Sequence, residues 1–570
     1  MNIRRWLPFL GWPKPSRGSL WADARAGFSV GLVLVPQAVA YAALAGMPPQ
    51  TGLYAAMIPS IIGVLWGSSP LLAAGPVALT SLLTFGSLQG LATPGSVLWV
   101  TLAIWLAIYS GVIQLALGCF RLGAIGNFIS FPALKGFINA AALIIIASQL
   151  PALLGFGHWN LGNLHQWQAG LFDGDGILPL LVGLGSITFL FLARRFFPRQ
   201  PAVLYVCILG IALSYLTGYQ ELGGAVVGEL PHGLPSLVLP DSISFEQHRS
   251  LLPAALIIAL VSFTEAMSSA RTLSRKREER WDENQELIGQ GLAKLASGSF
   301  GAFPISGSFS RSALNLYVGA TSGWSSVFAA LCVALCLLFF THPLAYLPTS
   351  VLAAVIIVPV INLLDWRVFT RVGKSCPEDG VTAAVTFIAT LVSVPQLHWG
   401  VLTGFLLAML ISVYRRSRPR IIEAGVHEDG VFRDRARYHM PVLAEDVLVV
   451  RMDSALIYTT APALEAFILD HISPATKDVV VLCSGINDID ATGIECLGEL
   501  SELLRKRGIC LRLAGVKMQV WRRLERSSSF ASLNADKAFL SDDEVKKFYR
   551  KERVKGAQVP DPGPAPEWHI

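Results

Sequence analysis

Leu251-Leu-Pro-Ala-Ala-Leu-Ile-Ile-Ala-Leu-Val-Ser-Phe-Thr-Glu265 is the stretch on which the reading of this chain turns. Fourteen uncharged residues, nearly all apolar, precede a carboxylate. A solvated helix would not carry so long an apolar run, and a carboxylate inside hydrocarbon is costly and marks function. Outward from it, residues 27–413 form a succession of similar apolar segments. The charges crowd into 1–25, 271–286 and everything after 414. Over 570 residues, 53% are hydrophobic and only 15% charged, against about 25% charged in a soluble protein. Mean hydropathy is +0.53. A bilayer core needs about 20 apolar residues per helix, and the pattern predicts a polytopic α-helical membrane domain of roughly twelve to fourteen spans.

Other classes fall away on composition. Met1 to Trp12 holds Arg4 and Arg5, but Pro8 and Pro13 interrupt any apolar core, so a signal peptide is not expected. Eight scattered cysteines form no Cys-x-x-Cys, and Cys332 and Cys336 read as packing residues on one helical face. The ten histidines form no His-Glu-x-x-His, and no Gly-x-x-x-x-Gly-Lys occurs. Hence no metal, no cofactor and no enzymatic nucleophile–base pair is expected. The net charge of +6 reflects basic loops and calls for no nucleic acid.

Those basic loops give a topology. Arg121 and Lys135, then Arg194, Arg195 and Arg199, Arg271 to Arg280, Arg367 to Lys374, and Arg415 to Arg420 mark one side. Between them, 157–176 (with Asp173 and Asp175) and 218–248 (with Glu221, Glu229, Asp241 and Glu246) hold no Lys or Arg. The positive-inside rule puts the first set and both termini in the cytoplasm, and so requires an even number of spans. After Tyr414, strand-like Val447–Met452, 479–482 and 510–513 alternate with helical 460–471 and 492–507, which predicts a small α/β domain. The expected division is a cytoplasmic N-terminus (1–19), a membrane domain (20–415), a linker (416–439), the α/β domain (440–550) and a disordered tail (551–570).

Two broken segments suit an anion. In Ala73-Ala-Gly-Pro-Val-Ala-Leu-Thr-Ser81, Gly75 and Pro76 interrupt the chain, and Pro suits a new helix's first turn. In Gly301-Ala-Phe-Pro-Ile-Ser-Gly-Ser-Phe-Ser-Arg-Ser-Ala313, Pro304 and Gly307 precede a helix start at Ser308, Ser310 and Arg311. Free N–H groups and the partial positive charge of a helix start attract anions. The two segments occupy corresponding places in two halves, as an inverted repeat would put them. Taken alone, 73–81 reads as an ordinary loop; Arg311, costly in a span, distinguishes 301–313. A desolvated Glu265 can exchange a proton near neutrality, with Ser269 one turn on able to bond it. The competing reading makes Glu265 a static partner of Arg311 or Lys294. Gln37 and Tyr41, four apart beside Pro36, offer amide and phenol donors to an oxyanion, or bonds to neighbouring helices.

Val35-Pro-Gln-Ala-Val-Ala-Tyr-Ala-Ala-Leu-Ala-Gly-Met-Pro-Pro-Gln-Thr-Gly-Leu-Tyr54 resembles the first-helix signature of the sulfate permease (SulP, solute carrier 26) family of anion transporters. Ala74 to Thr80 resembles its third helix, and Phe263 to Leu287 with Gly307 to Asn315 its eighth to tenth. The C-terminal unit resembles the family's STAS domain. The resemblance, over roughly residues 20–550, implies about fourteen helices in two inverted repeats of seven, divided into core and gate domains. It implies a homodimer, an elevator movement and a bacterial inner-membrane location. By position it implies anion contacts from Gln37, Tyr41, Val77, Ala78, Leu79, Phe309, Ser310 and Arg311, with Glu265 taking the coupling proton. A sodium-coupled bicarbonate branch would use Glu265 and Ser269 for sodium instead. The leading reading is proton-coupled sulfate uptake. The alternatives are sodium–bicarbonate symport, anion exchange, a channel, or a sensor working through the STAS unit. Two departures stand out. Lys294 replaces a common Asn, and Ala491 in Ile489-Asp-Ala-Thr-Gly493 stands where bacterial relatives are phosphorylated. A STAS unit without that hydroxyl suggests dimer contacts, a regulatory partner or nucleotide, or a structural role.

Overall fold

The computed structural model describes residues 7–128, 130–154, 177–196, 201–427, 430–527, 539 and 541–554. Arg4, Arg5, Arg199 and the acidic loop 157–176 lie outside the described residues. The chain forms two compact units, 1–409 and 410–570.

The first unit opens with α1 (Arg17–Leu44), started by a capping box in which Ser16 and Ser19 bond each other's backbone N–H groups. It continues through α2 (Pro49–Ala56), α3 (Ile58–Trp66), β1 (Ala73–Gly75), α4 (Ala78–Leu88), α5 (Val97–Cys119), α6 (Phe131–Leu153), α7 (Ile177–Phe196) and α8 (Ala202–Thr217). A second series follows: α9 (Phe245–Arg277), α10 (Glu283–Ser299), β2 (Ser306–Ser308), α11 (Phe309–Val318), α12 (Trp324–Phe339), α13 (Thr341–Ala345), α14 (Thr349–Ile361), α15 (Arg367–Ser375), α16 (Pro377–Val392) and α17 (His398–Ser417). Among the described residues five helices (α1, α5, α6, α9 and α17) are long and apolar enough to cross a bilayer unaided.

The series share a plan. If α2 with α3 counts as one crossing, each three-residue strand as one with the helix after it, and α12 with the five-residue α13 as one, and if the nine-residue polar α15 is not counted, each half crosses seven times. An odd number sends the second half through the bilayer in the opposite sense. Corresponding elements therefore run oppositely, and β1 and β2 pair antiparallel: Ala73 opposite Ser308, Ala74 opposite Gly307, Gly75 opposite Ser306.

Hydrogen bonds identify the two ends of the bundle. At one, Asp23 accepts from the N–H groups of Thr321 (2.6 Å) and Ser322 (3.1 Å), and Arg277 donates to the Thr321 carbonyl. There Glu286 accepts from the N–H groups of Ser68 and Ser69, and Asn284 from Gly123 N–H. At the other end Gly95 N–H bonds the Gly46 carbonyl, Val227 N–H that of Leu347 and Val238 N–H that of Ser299, while Trp105 Nε1 bonds the Asp241 carbonyl. Arg121 and the basic run 271–280 belong to the first end, and the acidic segment 218–248 to the second, as the charge pattern predicts.

Packing sorts the helices into two groups. In one, α5 packs on α10 and α9, α3 on α10, and α1 on α12, α11 and α4. Glycine lets α1 and α12 approach: a Cβ on Gly27 would stand 2.3 Å from the Ser325 carbonyl oxygen, and one on Gly31 2.6 Å from Cys332 Cβ. In the other group α6 packs on α16 and α14, and α7 on α14 and α8. These are a core and a gate.

In the second unit the sheet runs β4 (Phe432–Asp434), β3 (Ile421–Val426), β5 (Val447–Met452), β6 (Asp478–Leu482), β7 (Cys510–Ala514). The β5–β6–β7 ladder is parallel, its Val- and Leu-rich strands buried as that pattern dictates. Helices α18 (Arg435–Tyr438), α19 (Ala461–His471), α20 (Ala491–Lys506), α21 (Met518–Glu525) and α22 (Asp542–Val554) complete it. Two expectations change. Residues 416–439, read as a linker, supply β3, which pairs onto β5 through Ile421, Ile422 and Glu423, and β4, which pairs onto β3. Residues 551–554, read as tail, end α22; 555–570 lie outside the described residues.

Candidate functional site

At the β1–β2 crossing two helices begin. Pro76 precedes the N-cap of α4, which is Val77, so it ends the strand rather than starting the helix as its sequence position suggested. Ser308 caps α11, its Oγ accepting from Arg311 N–H at 3.5 Å. Further bonds hold the crossing: Ser60 Oγ donates to the Ala74 carbonyl (2.8 Å), Ala73 N–H to Ser312 Oγ (2.8 Å), and Asn315 Nδ2 to the Leu71 carbonyl (3.3 Å). Three-residue strands of Ala, Gly and Ser would not pair by themselves. The packed helices impose the pairing.

Arg311 is 2% exposed, yet its Nε, Nη1 and Nη2 donate to no group. A buried guanidinium with every donor free is held ready for an acceptor that none of the described residues supplies. Gly75, at φ 150°, makes room for it: a Cβ there would stand 3.2 Å from Nη2. Tyr41 of α1 and Glu265 of α9 both lie within its electrostatic reach. Glu265 Oε2 is buried without a hydrogen-bond partner, and its carboxyl lies beside the Ser306 hydroxyl. Ser306 Oγ also lies 3.0 Å from the Ser262 carbonyl, so its single proton can serve either that carbonyl or the Glu265 carboxylate.

The fold thus brings together Tyr41, Glu265 and Arg311 and frames them with the starts at Val77–Leu79 and Phe309–Arg311. Gln37 is buried one turn before Tyr41 with Oε1 unpartnered. Phe309 and Ser310 are exposed, and Ser310 Oγ lies 3.4 Å from that of Ser308. One expectation is corrected. Ser269 Oγ donates to the Glu265 backbone carbonyl (3.2 Å), not to its carboxyl. Glu265 forms no hydrogen bond with Arg311, whose donors are all free; a contact ion pair is not how the two are arranged. Lys294 acquires a place: fully buried, its Nζ donates to Gln114 Oε1 (2.8 Å) and Ser262 Oγ (2.9 Å). Sequence reading passed over Ser306, Ser262 and Gln114. Gln114, a lone amide in the apolar span 97–119, carried the signal, since polar groups inside spans mark sites. Among the described residues no group of three His, Cys, Asp or Glu could hold a metal.

In the second unit Asp490 caps α20, accepting from Gly493 N–H (2.8 Å) and Tyr458 N–H (2.9 Å). Gly493 is required because a Cβ would stand 2.3 Å from the Leu456 carbonyl oxygen. Ala491 opens that helix without a hydroxyl.

A broken-helix inverted repeat around a buried arginine, followed in the chain by a STAS-type α/β unit, defines an anion transporter. Residues 20–386 match the Sulfate permease family and 440–544 the STAS domain, and the chain belongs to the sulfate permease family. It is 30% identical to the bovine sodium-independent sulfate anion transporter, over 97% of this chain and 92% of that protein. It is 29% identical to the Arabidopsis thaliana chloroplastic sulfate transporter 4.1, over 92% and 80%. Murine Solute Carrier 26 family member A9, an anion transporter solved in the inward-facing state, shares the fold with a TM-score of 0.87 at 22% identity, covering 96% and 94%. The chain is a membrane anion transporter and not an enzyme.

Proposed function

We propose that this transporter takes up sulfate together with protons. The observation that carries the reading is Arg311: a buried guanidinium with five unused N–H donors, set between two helix starts whose free N–H groups favour a tetrahedral oxyanion. Sulfate is favoured over other oxyanions by the printed functions of the relatives. Proton coupling is favoured by Glu265. Its ionised form repels an anion bound at Arg311, and its protonated form can donate to Ser306, so proton and anion each improve the other's binding.

Movement is proposed to follow the elevator pattern. Gln37, Tyr41, 77–79, Glu265, Lys294 and 309–311 all belong to the core group, so the site can travel as one body past the gate. The proposal includes a homodimer in a bacterial inner membrane, oriented with both termini cytoplasmic by the basic end of the bundle. With Ala491 in place of a phosphorylatable residue, the α/β unit is proposed to act through dimer contacts or by binding a regulatory protein or nucleotide.

The test is uptake of radiolabelled sulfate by the full chain in proteoliposomes under imposed ion gradients. Acid outside should drive accumulation with sodium absent. Uptake that follows a sodium gradient and ignores a pH gradient would replace this reading with sodium symport. Currents that scale ohmically with anion gradients would indicate a channel.

A further inference from the structure

We propose that Lys294 sets the valence of the transported anion, its buried ammonium being the second fixed cation that fits the site to a doubly charged oxyanion. The proposal rests on the oxyanion-transport reading above and extends it to selectivity.

Lys294 lies on α10 with no exposed surface. Its two hydrogen-bond partners, Gln114 Oε1 of α5 and Ser262 Oγ of α9, are neutral. Gln114 is itself held: its Nε2 donates to the Ala259 carbonyl (2.6 Å) and to Ser262 Oγ (3.1 Å). The protonated side chain is therefore fixed and solvated by dipoles, and among the described residues no carboxylate contacts it to cancel its charge. Burying an ammonium this way is expensive. A lysine that served only to join three helices could be replaced by an uncharged amide at lower cost.

The charge reaches the site along a short path. Ser262, which receives the Lys294 bond, offers its carbonyl to Ser306, and Ser306 sits opposite Gly75 in the strand pair between the two helix starts. Glu265, three residues past Ser262 on the same helix, senses both Lys294 and Arg311. The charged and titratable groups around Glu265 are thus Arg311 from α11, Lys294 from α10 and Tyr41 from α1.

Counting charges gives the selectivity. Arg311 and Lys294 supply two positive charges and ionised Glu265 one negative, a net of one positive. With Glu265 protonated the net is two positive, and a bound dianion leaves the assembly neutral. Neutral is the state that costs least in low dielectric. Without the Lys294 charge, the protonated cluster would instead match a monoanion.

The experiment compares uptake of sulfate and bicarbonate by the full chain in proteoliposomes, read as the ratio of their kcat/KM values. Lys294→Gln removes the charge. Gln114→Glu keeps the lysine but sets a carboxylate against it, and gives a second route if the first variant folds poorly by size-exclusion profile. Lys294→Arg keeps the charge. Both neutralising changes should lower the sulfate-to-bicarbonate ratio at least about tenfold, the discrimination a unit charge on the order of 10 Å away exerts between a dianion and a monoanion at an effective dielectric of about 20. Lys294→Arg should stay within about threefold of the parent protein, because the unit charge is kept. An unchanged ratio in both neutralising variants overturns the proposal, and so does an equal loss in Lys294→Arg, which would assign the effect to hydrogen-bond geometry. A parent protein that prefers another dianion over bicarbonate, with the ratio falling in the variants, supports the proposal while overturning sulfate as cargo. A parent that prefers monoanions overturns both.

Discussion

Where β1 crosses β2, the two halves of the bundle contribute the same backbone and different chemistry. The first half brings Gly75, Pro76 and Val77 to the start of α4, with no charge within the turn. The second brings Ser308, Ser310 and Arg311 to the start of α11, and also owns Glu265 and Lys294. The repeat supplies a symmetric cradle of N–H groups, and the charges that would select an anion and a coupling ion come from one side only. The first half adds neutral donors, Gln37 and Tyr41. A symmetric frame with one-sided chemistry lets the second half change valence or coupling ion without rebuilding the frame.

This contrast can be broken by substitution. The largest effect is expected from Arg311→Ala, which removes the asymmetry. Losing charge-assisted hydrogen bonds worth about 1.5–3 kcal/mol should raise the sulfate Kd about 10- to 100-fold. Equilibrium binding to the purified protein measures it, and unchanged affinity would remove Arg311 from the site. Gly75→Ala reaches the same guanidinium from the uncharged half. A Cβ 3.2 Å from Nη2, at φ 150°, should displace it and weaken sulfate uptake about three- to tenfold. Tyr41→Phe and Gln37→Ala, each removing a neutral bond worth roughly 0.5–1 kcal/mol, should raise KM about two- to fivefold. Equal losses from Tyr41→Phe and Arg311→Ala would deny that charge distinguishes the halves. The smallest effect on transport is expected from Gly493→Ala in the other unit. Its clash with the Leu456 carbonyl should cost the α/β unit roughly 1–3 kcal/mol in thermal unfolding, with sulfate KM unchanged.

Much of this was legible in the sequence because charge stands out against an apolar background. Arg311 and Glu265 could be picked out inside spans, and the Gly/Pro breaks at 75–76 and 304–307 marked the helix starts to within two residues. The strand pair itself was not legible. Ala73–Gly75 and Ser306–Ser308 have little β propensity and lie over 200 residues apart, so only the packed bundle shows that they meet. Lys294 was visible as an anomaly but not as part of a network, since its partners lie on two other helices. The 416–439 segment was misread because β3 carries Glu423 in its middle and the edge strand β4 is only three residues long, with Arg433 and Asp434. The role of Ser269 was misjudged for a different reason: a helical serine readily bonds the carbonyl four residues back.

The central claim is that proton and sulfate share one site, with Glu265 and Arg311 as its two poles. Sulfate affinity of the purified full chain, measured by calorimetry across pH 5 to 8, tests it most directly. Protonating Glu265 removes a negative charge beside the anion, so affinity should strengthen as pH falls in the parent protein and lose most of that dependence in Glu265→Gln, where buried Lys294 is the other group that can gain a proton. Sulfate binding that ignores pH in the parent, or that keeps its full pH dependence in Glu265→Gln, would contradict the account.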